Sequence, residues 1–250
     1  IAWYAPEISE TWQYLTVVAI LLAAIYSSTD IRYLKVLSVA STWLFFGLIL
    51  AMAIVGGVGP DSFARAAGDI GSGYFAKLPH FVVPLSDYHA FYLFWWFAWS
   101  IMIGQFVSRF VGGLKTYQLL LALLIIPSIP LAIWFAVLYH YFTDGIAITP
   151  LWKLAMLAVG VIFVINSVDS LVRLYSDNLG LSVQRLGRAR FIACHFVLLG
   201  ALVLTFRFTP FEIQWVGLTV IGLYAATLGL LALRCRPALQ RIGGRSVSRA

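Results

Sequence analysis

The chain has 250 residues, of which 62% are hydrophobic, 16% aromatic and only 11% charged, and its formal net charge is +7. A soluble domain carries roughly a quarter charged residues, so this composition excludes an ordinary soluble globule and defines a polytopic membrane protein. Its basic residues fall between apolar runs rather than in a patch, which argues against nucleic acid as a partner and makes the lipid bilayer the first one.

Seven apolar spans are expected, at about residues 12–28, 41–58, 88–110, 117–142, 151–175, 191–208 and 213–233. Each is near or above the roughly 17-residue minimum for crossing a bilayer. Together they make one all-α membrane bundle over residues 1–233, followed by a basic cytoplasmic tail, 234–250. Asp30, Arg32 and Lys35 break the chain between the first two spans, and GGVGP at 56–60 ends the second. The connector that follows holds DSFARAAGDIGSGYFAKL, expected as a short interfacial helix. Pro127 and Pro130 predict a kink in the fourth span.

The charges set the expected orientation. With the first span starting outside, only Arg65, Lys77, Lys153 and Arg207 of the seventeen basic residues fall in outside segments. The rule that inner loops are basic then places the N-terminus outside and the C-terminus in the cytoplasm. An outside start anticipates a preceding span or a signal sequence, and no cleavable signal pattern is visible.

The third span is the most informative. It places Phe91, Tyr92, Phe94, Trp95, Trp96, Phe97 and Trp99 together, and Tyr92, Trp95 and Trp99 share one helical stripe. Such rings suit a quaternary ammonium group held by cation–π attraction; the competing reading is an interfacial aromatic belt. In the fifth span, Asn166, Ser167, Asp169 and Ser170 interrupt an apolar run. Their oxygens suit a hard cation such as sodium, against the plainer reading that they bond to neighbouring helices and that Asp169 pairs with Arg173. Arg207 is expected to snorkel to the outer interface.

Catalytic patterns are absent: there is no nucleophile elbow, phosphate loop, CxxC or HExxH. The sequence therefore points to a non-enzyme with no catalytic residue. Cys194 and Cys235 have no metal-ligand spacing, His80, His89, His140 and His195 are scattered, and no resident cofactor is implied.

The third span resembles the signature helix of the betaine/carnitine/choline transporter family, whose pattern is close to F-Y-W-x-W-W-x-x-W-S-P followed by G-x-F-x-A-R-x-x-x-G. Here Phe91-Tyr92, Trp95-Trp96, Trp99-Ser100, Gly104, Phe106, Arg109 and Gly113 stand in that register. Ile126-Pro127 and Trp134-Phe135 resemble the family's next helix, and Asn166 to Ser170 resembles the T-S-A-D-S motif of the one after. The resemblance covers nearly the whole chain and matches the C-terminal seven of twelve helices of an inverted-repeat secondary transporter.

It implies that Trp95, Trp96 and Trp99 line or flank a quaternary ammonium solute, and that Phe163, Asn166 and Ser167 match positions of a sodium site. Three positions depart from the pattern: Ile101 replaces the proline after the Trp motif, Leu93 the first Trp, and Asn166 the threonine. Taken as a stand-alone chain without the family's first helices, the expectation is a non-transporting accessory subunit packed with other membrane proteins, in a photosynthetic or respiratory complex for example. The alternative is a half or fragment of a transporter for betaine-, choline- or carnitine-like solutes, sodium-coupled in the family's manner.

Overall fold

A computed structural model describes residues 9–80, 83, 86–108 and 112–234. Arg109, Cys235 and the basic tail lie outside the described residues. The described chain is helical: α1 Glu10–Ser27, α2 Ile31–Val55, α3 Pro60–Lys77, a 3-10 turn Leu78–His80, α4 Asp87–Ser108, α5 Thr116–Thr143, α6 Pro150–Leu179, α7 Val183–Leu186, α8 Arg188–Phe208 and α9 Ile213–Arg234. By length and composition, α2, α5, α6, α8 and α9 are each apolar and long enough to cross a membrane. α1 has 18 residues and opens with Glu10, Trp12, Gln13 and Tyr14. α4 opens with Asp87, Tyr88 and His89, and its many Trp and Tyr side chains are amphipathic rather than fully apolar.

Local chemistry fixes the helix ends. α2 starts at Ile31, about ten residues before the apolar run, because the Asp30 side chain accepts from the Arg32 N–H at 2.9 Å and caps the helix. Arg32 and Lys35 then ride on its first turns instead of separating two elements. Pro60 and Pro150 open α3 and α6 at positions where the missing N–H costs nothing. α6 stops at Gly180, whose φ of +68° few other residues adopt. α5 continues as one helix through Pro127 and Pro130. The helix expected within 61–78 is present as α3.

The helices form two units. In the first, α1 packs on α6 and α8, α2 on α5 and α6, and α3 on α5. It has two apolar clusters. Leu48, Ile49 and Met52 of α2 meet Val137 and Tyr141 of α5 and Val159 of α6. Leu21 and Ile25 of α1 meet Val172 of α6 and Phe191 and Leu199 of α8. The second unit is α4 packed on α9. There Gly217 lets the backbones close in: a Cβ at that position would stand 2.8 Å from the Phe94 carbonyl oxygen. Small residues at membrane helix contacts serve this purpose. Large apolar side chains such as Trp43, Leu50 and Ile54 of α2 are more than half exposed, as lipid-facing surfaces are.

Candidate functional site

The aromatic stripe of α4 is built as its spacing predicts. The Trp95 and Trp99 rings lie 5.6 Å apart, centroid to centroid, at 48°. Tyr92 meets Trp95 edge-on at 6.4 Å, and Tyr88 meets Tyr92 at 5.1 Å. Trp95 and Trp99 are half-buried, while Trp96 is 55% exposed and sets its ring edge-on to Trp95 at 5.1 Å. A cation must stand within about 6 Å of a ring centroid, over its face. Rings already touching at 5.6 Å leave no room between them, so Trp95 and Trp99 make one continuous wall and not a sandwich. Ser100 steadies the next turn: its hydroxyl donates to the Phe97 carbonyl at 2.6 Å and accepts from the Tyr224 hydroxyl of α9 at 2.9 Å.

Asn166 and Asp169 of α6 bond to neighbouring helices. The Ser38 hydroxyl of α2 donates to Asn166 Oδ1 at 3.1 Å. Asp169 is fully buried; its carboxylate accepts from the Ser27 hydroxyl at 2.7 Å and from Arg173 Nε at 2.8 Å. Arg173 Nη2 also donates to the carbonyls of Ser27 and Asp30, at 2.7 and 2.6 Å. The guanidinium thereby bridges the turn between the two helices: the Ser27 carbonyl ends α1, where the helix dipole favours a cation, and the Asp30 carbonyl belongs to the N-cap of α2. The pairing of Asp169 with Arg173 is thus the plainer of the two readings drawn from the sequence. Phe163 packs its ring edge-on to Phe45 of α2 at 5.7 Å, and Ser167 is exposed on this unit. Asn166 and Ser167 are adjacent in sequence and so about 100° apart on the helix.

One cluster escapes sequence reading. His195, fully buried on α8, bonds through Nδ1 to the Tyr175 hydroxyl at 2.8 Å and through Nε2 to the Ser176 hydroxyl at 3.1 Å. Ser176 gives its own proton to the Val172 carbonyl, so its oxygen accepts and Nε2 carries the ring proton. Tyr175 then donates to Nδ1, and a neutral imidazole satisfies both hydroxyls. The cue was a Tyr-Ser pair on one span and a His on the next, which becomes a cluster only once α6 and α8 are packed. His140 bonds the Gly56 carbonyl through Nε2 at 3.1 Å. Among the described residues no group of three or more His, Cys, Asp or Glu could hold a metal ion.

These helices define a multi-pass, all-helical membrane protein. The model of the betaine/carnitine/choline family of transporters matches residues 4–149, more than half of the chain. The chain belongs to that family. It is 25% identical over 115 residues to glycine betaine transporter 1 of Vibrio parahaemolyticus, which is 41% of this chain and 21% of that protein. A glycine betaine/proline/choline/ectoine transporter of the same organism matches at 25% over 115 residues, 41% of this chain and 19% of the relative. An uncharacterized transporter of Mycobacterium tuberculosis is 28% identical over 74 residues, 26% of this chain and 12% of that one. The chain covers about a fifth or less of the length of these relatives. No solved structure matches it. The family match contains the whole α4 stripe and ends before Phe163, Asn166 and Ser167.

Proposed function

We propose that this chain takes part in the transport of a quaternary ammonium solute of the betaine, choline or carnitine type across a bacterial inner membrane, with its N-terminus outside and its C-terminus in the cytoplasm. The observation that carries this reading is the continuous wall formed by Trp95 and Trp99 inside the family-matched stretch. Cation–π contacts to such a wall select a permanently charged ammonium over a neutral solute of the same size. The relatives that carry functional names are transporters, which favours transport over the accessory role inferred from the chain's extent. Ion coupling through Phe163, Asn166 and Ser167 is the second part of the proposal; it rests on the resemblance of residues 166–170 to the family motif.

The test is uptake of radiolabelled glycine betaine and choline by cells that lack their own carriers and express the protein. A tryptophan–ammonium contact is worth roughly 1–2 kcal/mol when desolvated. Trp95→Ala and Trp99→Ala should each raise the half-saturating concentration about 5- to 30-fold, and Trp→Phe should restore most of it. Uptake unaltered by both substitutions at equal protein abundance would overturn the proposal. So would absence of uptake from a chain that co-purifies with a complex of unrelated subunits.

A further inference from the structure

Two cavities of the first unit share one residue, Arg207. The upper one, about 250 Å³, is lined by Glu10, Gln13, Tyr14 and Val17 of α1 together with Arg207 at the end of α8. The lower one, about 510 Å³, runs on from Arg207 between α1, α6 and α8 and is walled by Leu21, Val168, Leu171, Leu199, Leu202 and Val203. The sequence dictates this shape. Glu10, Gln13, Tyr14, Val17 and Leu21 recur at helical spacing along one face of α1, polar for its first turns and apolar below. Leu199, Leu202, Val203 and Phe206 do the same on α8, with Arg207 next in line.

From Leu199 to Arg207 the trough is roughly 12 Å long at 1.5 Å per residue. That approaches the roughly 15 Å of one leaflet's hydrocarbon. At the polar end, Arg207 Nε donates to the Tyr14 hydroxyl at 3.3 Å, and the guanidinium carbon stands 5.7 Å from the Phe208 ring centroid. These contacts hold a charged fork at the mouth, with the geometry that suits an incoming oxyanion. Glu10 lines the same mouth and supplies the opposite charge.

We infer that this groove is a binding site for one zwitterionic phospholipid, phosphatidylethanolamine. The phosphate sits on Arg207, the primary ammonium on Glu10, and an acyl chain lies in the Leu199–Leu202–Val203 trough. Charge complementarity decides among occupants. A mouth with one cation and one anion fits a zwitterionic head. An anionic lipid would meet Glu10 unfavourably, and a choline head would offer Glu10 no N–H donor. The apolar trough decides against a small zwitterion, which would leave it uncovered.

The experiment uses the full protein, purified in mild detergent, stripped of lipid, and supplied with phosphatidylethanolamine, phosphatidylcholine or phosphatidylglycerol in turn. Retained lipid is counted by native mass spectrometry. Phosphatidylethanolamine should bind in one copy. Arg207→Gln should weaken it about tenfold or more, Glu10→Gln should erase its advantage over phosphatidylcholine, and Leu202→Trp should fill the trough and reduce retention of every lipid. A melting curve for each variant shows that it is folded. The inference is overturned if retention survives both Arg207→Gln and Leu202→Trp, or if phosphatidylglycerol binds most tightly with no response to Glu10→Gln. It is overturned equally if glycerophosphoethanolamine, which has no acyl chain, competes as well as the intact lipid.

Discussion

Asp169 and Arg173 permit a prediction whose asymmetry comes from the structure. Both are on α6, four residues apart, with the carboxylate wholly buried and the guanidinium 19% exposed. Removing one member of a buried pair costs about 3–5 kcal/mol, because the survivor keeps an uncompensated charge. The two survivors differ here. In Asp169→Ala, Arg173 still donates to the carbonyl of Ser27, at the C-terminal end of α1 where a cation is tolerated, and to that of Asp30 in the turn before α2. In Arg173→Ala, a fully buried carboxylate keeps only the Ser27 hydroxyl. Asp169→Ala should therefore cost about 3 kcal/mol, Arg173→Ala about 5 kcal/mol, and Asp169→Asn, which keeps a bond to Ser27, about 1.5–3 kcal/mol.

At roughly 2–4 °C per kcal/mol for a chain of this size, thermal unfolding in detergent should fall by about 6–12 °C for Asp169→Ala and 10–20 °C for Arg173→Ala. The apolar pair Asp169→Leu with Arg173→Met should be at least about 2 kcal/mol more stable than Arg173→Ala alone, because it strands no charge. Asp169→Ala proving worse than Arg173→Ala would refute the reasoning. So would a double variant no better than the sum of its singles.

Three further substitutions probe other contacts by the same assay. His195→Phe keeps bulk but leaves the Tyr175 hydroxyl without its acceptor, costing about 1–3 kcal/mol; adding Tyr175→Phe should recover most of it, and failure to recover would mean the cluster is held by packing alone. Gly56→Ala places a Cβ 2.5 Å from Tyr141 Cε2; it should cost about 1–3 kcal/mol of overpacking, relieved when Tyr141 is shortened to Leu. Tyr141→Phe alone should cost only about 0.5–1.5 kcal/mol, since the Met52 carbonyl that accepts its hydroxyl at 2.8 Å also accepts the Gly56 N–H.

The positions of the helices were readable because runs of apolar residues are themselves the signal in a membrane chain. The Trp95–Trp99 stripe was readable for the same reason: a four-residue spacing is a statement about one helix. The start of α2 was less so, because Arg32 and Lys35 look like loop residues until Asp30 is recognised as a cap. The pairing of Asp169 with Arg173 lies within a single helix and could be anticipated. Its other half, Ser27 and the end of α1, could not, since 142 residues of sequence separate Ser27 from Asp169. The same holds for His195 with Tyr175 and for Arg207 with Tyr14, which depend on which helices become neighbours.

Asn166, Asp169, Arg173 and Ser176 occupy one stripe of α6, about 80° wide at 100° per residue. Along it they reach Ser38 of α2, Ser27 of α1 and His195 of α8 in turn. Apolar packing distinguishes weakly between a neighbouring helix and a lipid tail, so in a bilayer it fixes neither rotation nor register by itself. A polar stripe does, because turning α6 away would strand a charge and several hydrogen-bonding groups in hydrocarbon. This bears on the proposed ion-coupling role of Asn166. Ser38→Ala removes the hydroxyl that donates to Asn166 Oδ1. If that bond is only a tie between helices, the variant should lose about 0.6 kcal/mol, the typical value for such bonds in membrane proteins, and keep its sodium dependence of uptake. If Asn166 and Ser38 act together on the ion, half-saturation by sodium should shift several-fold with little change in melting. Measuring both quantities on this one variant separates a structural stripe from a coupling site, and unchanged sodium dependence in Asn166→Ala as well would remove Asn166 from the coupling proposal.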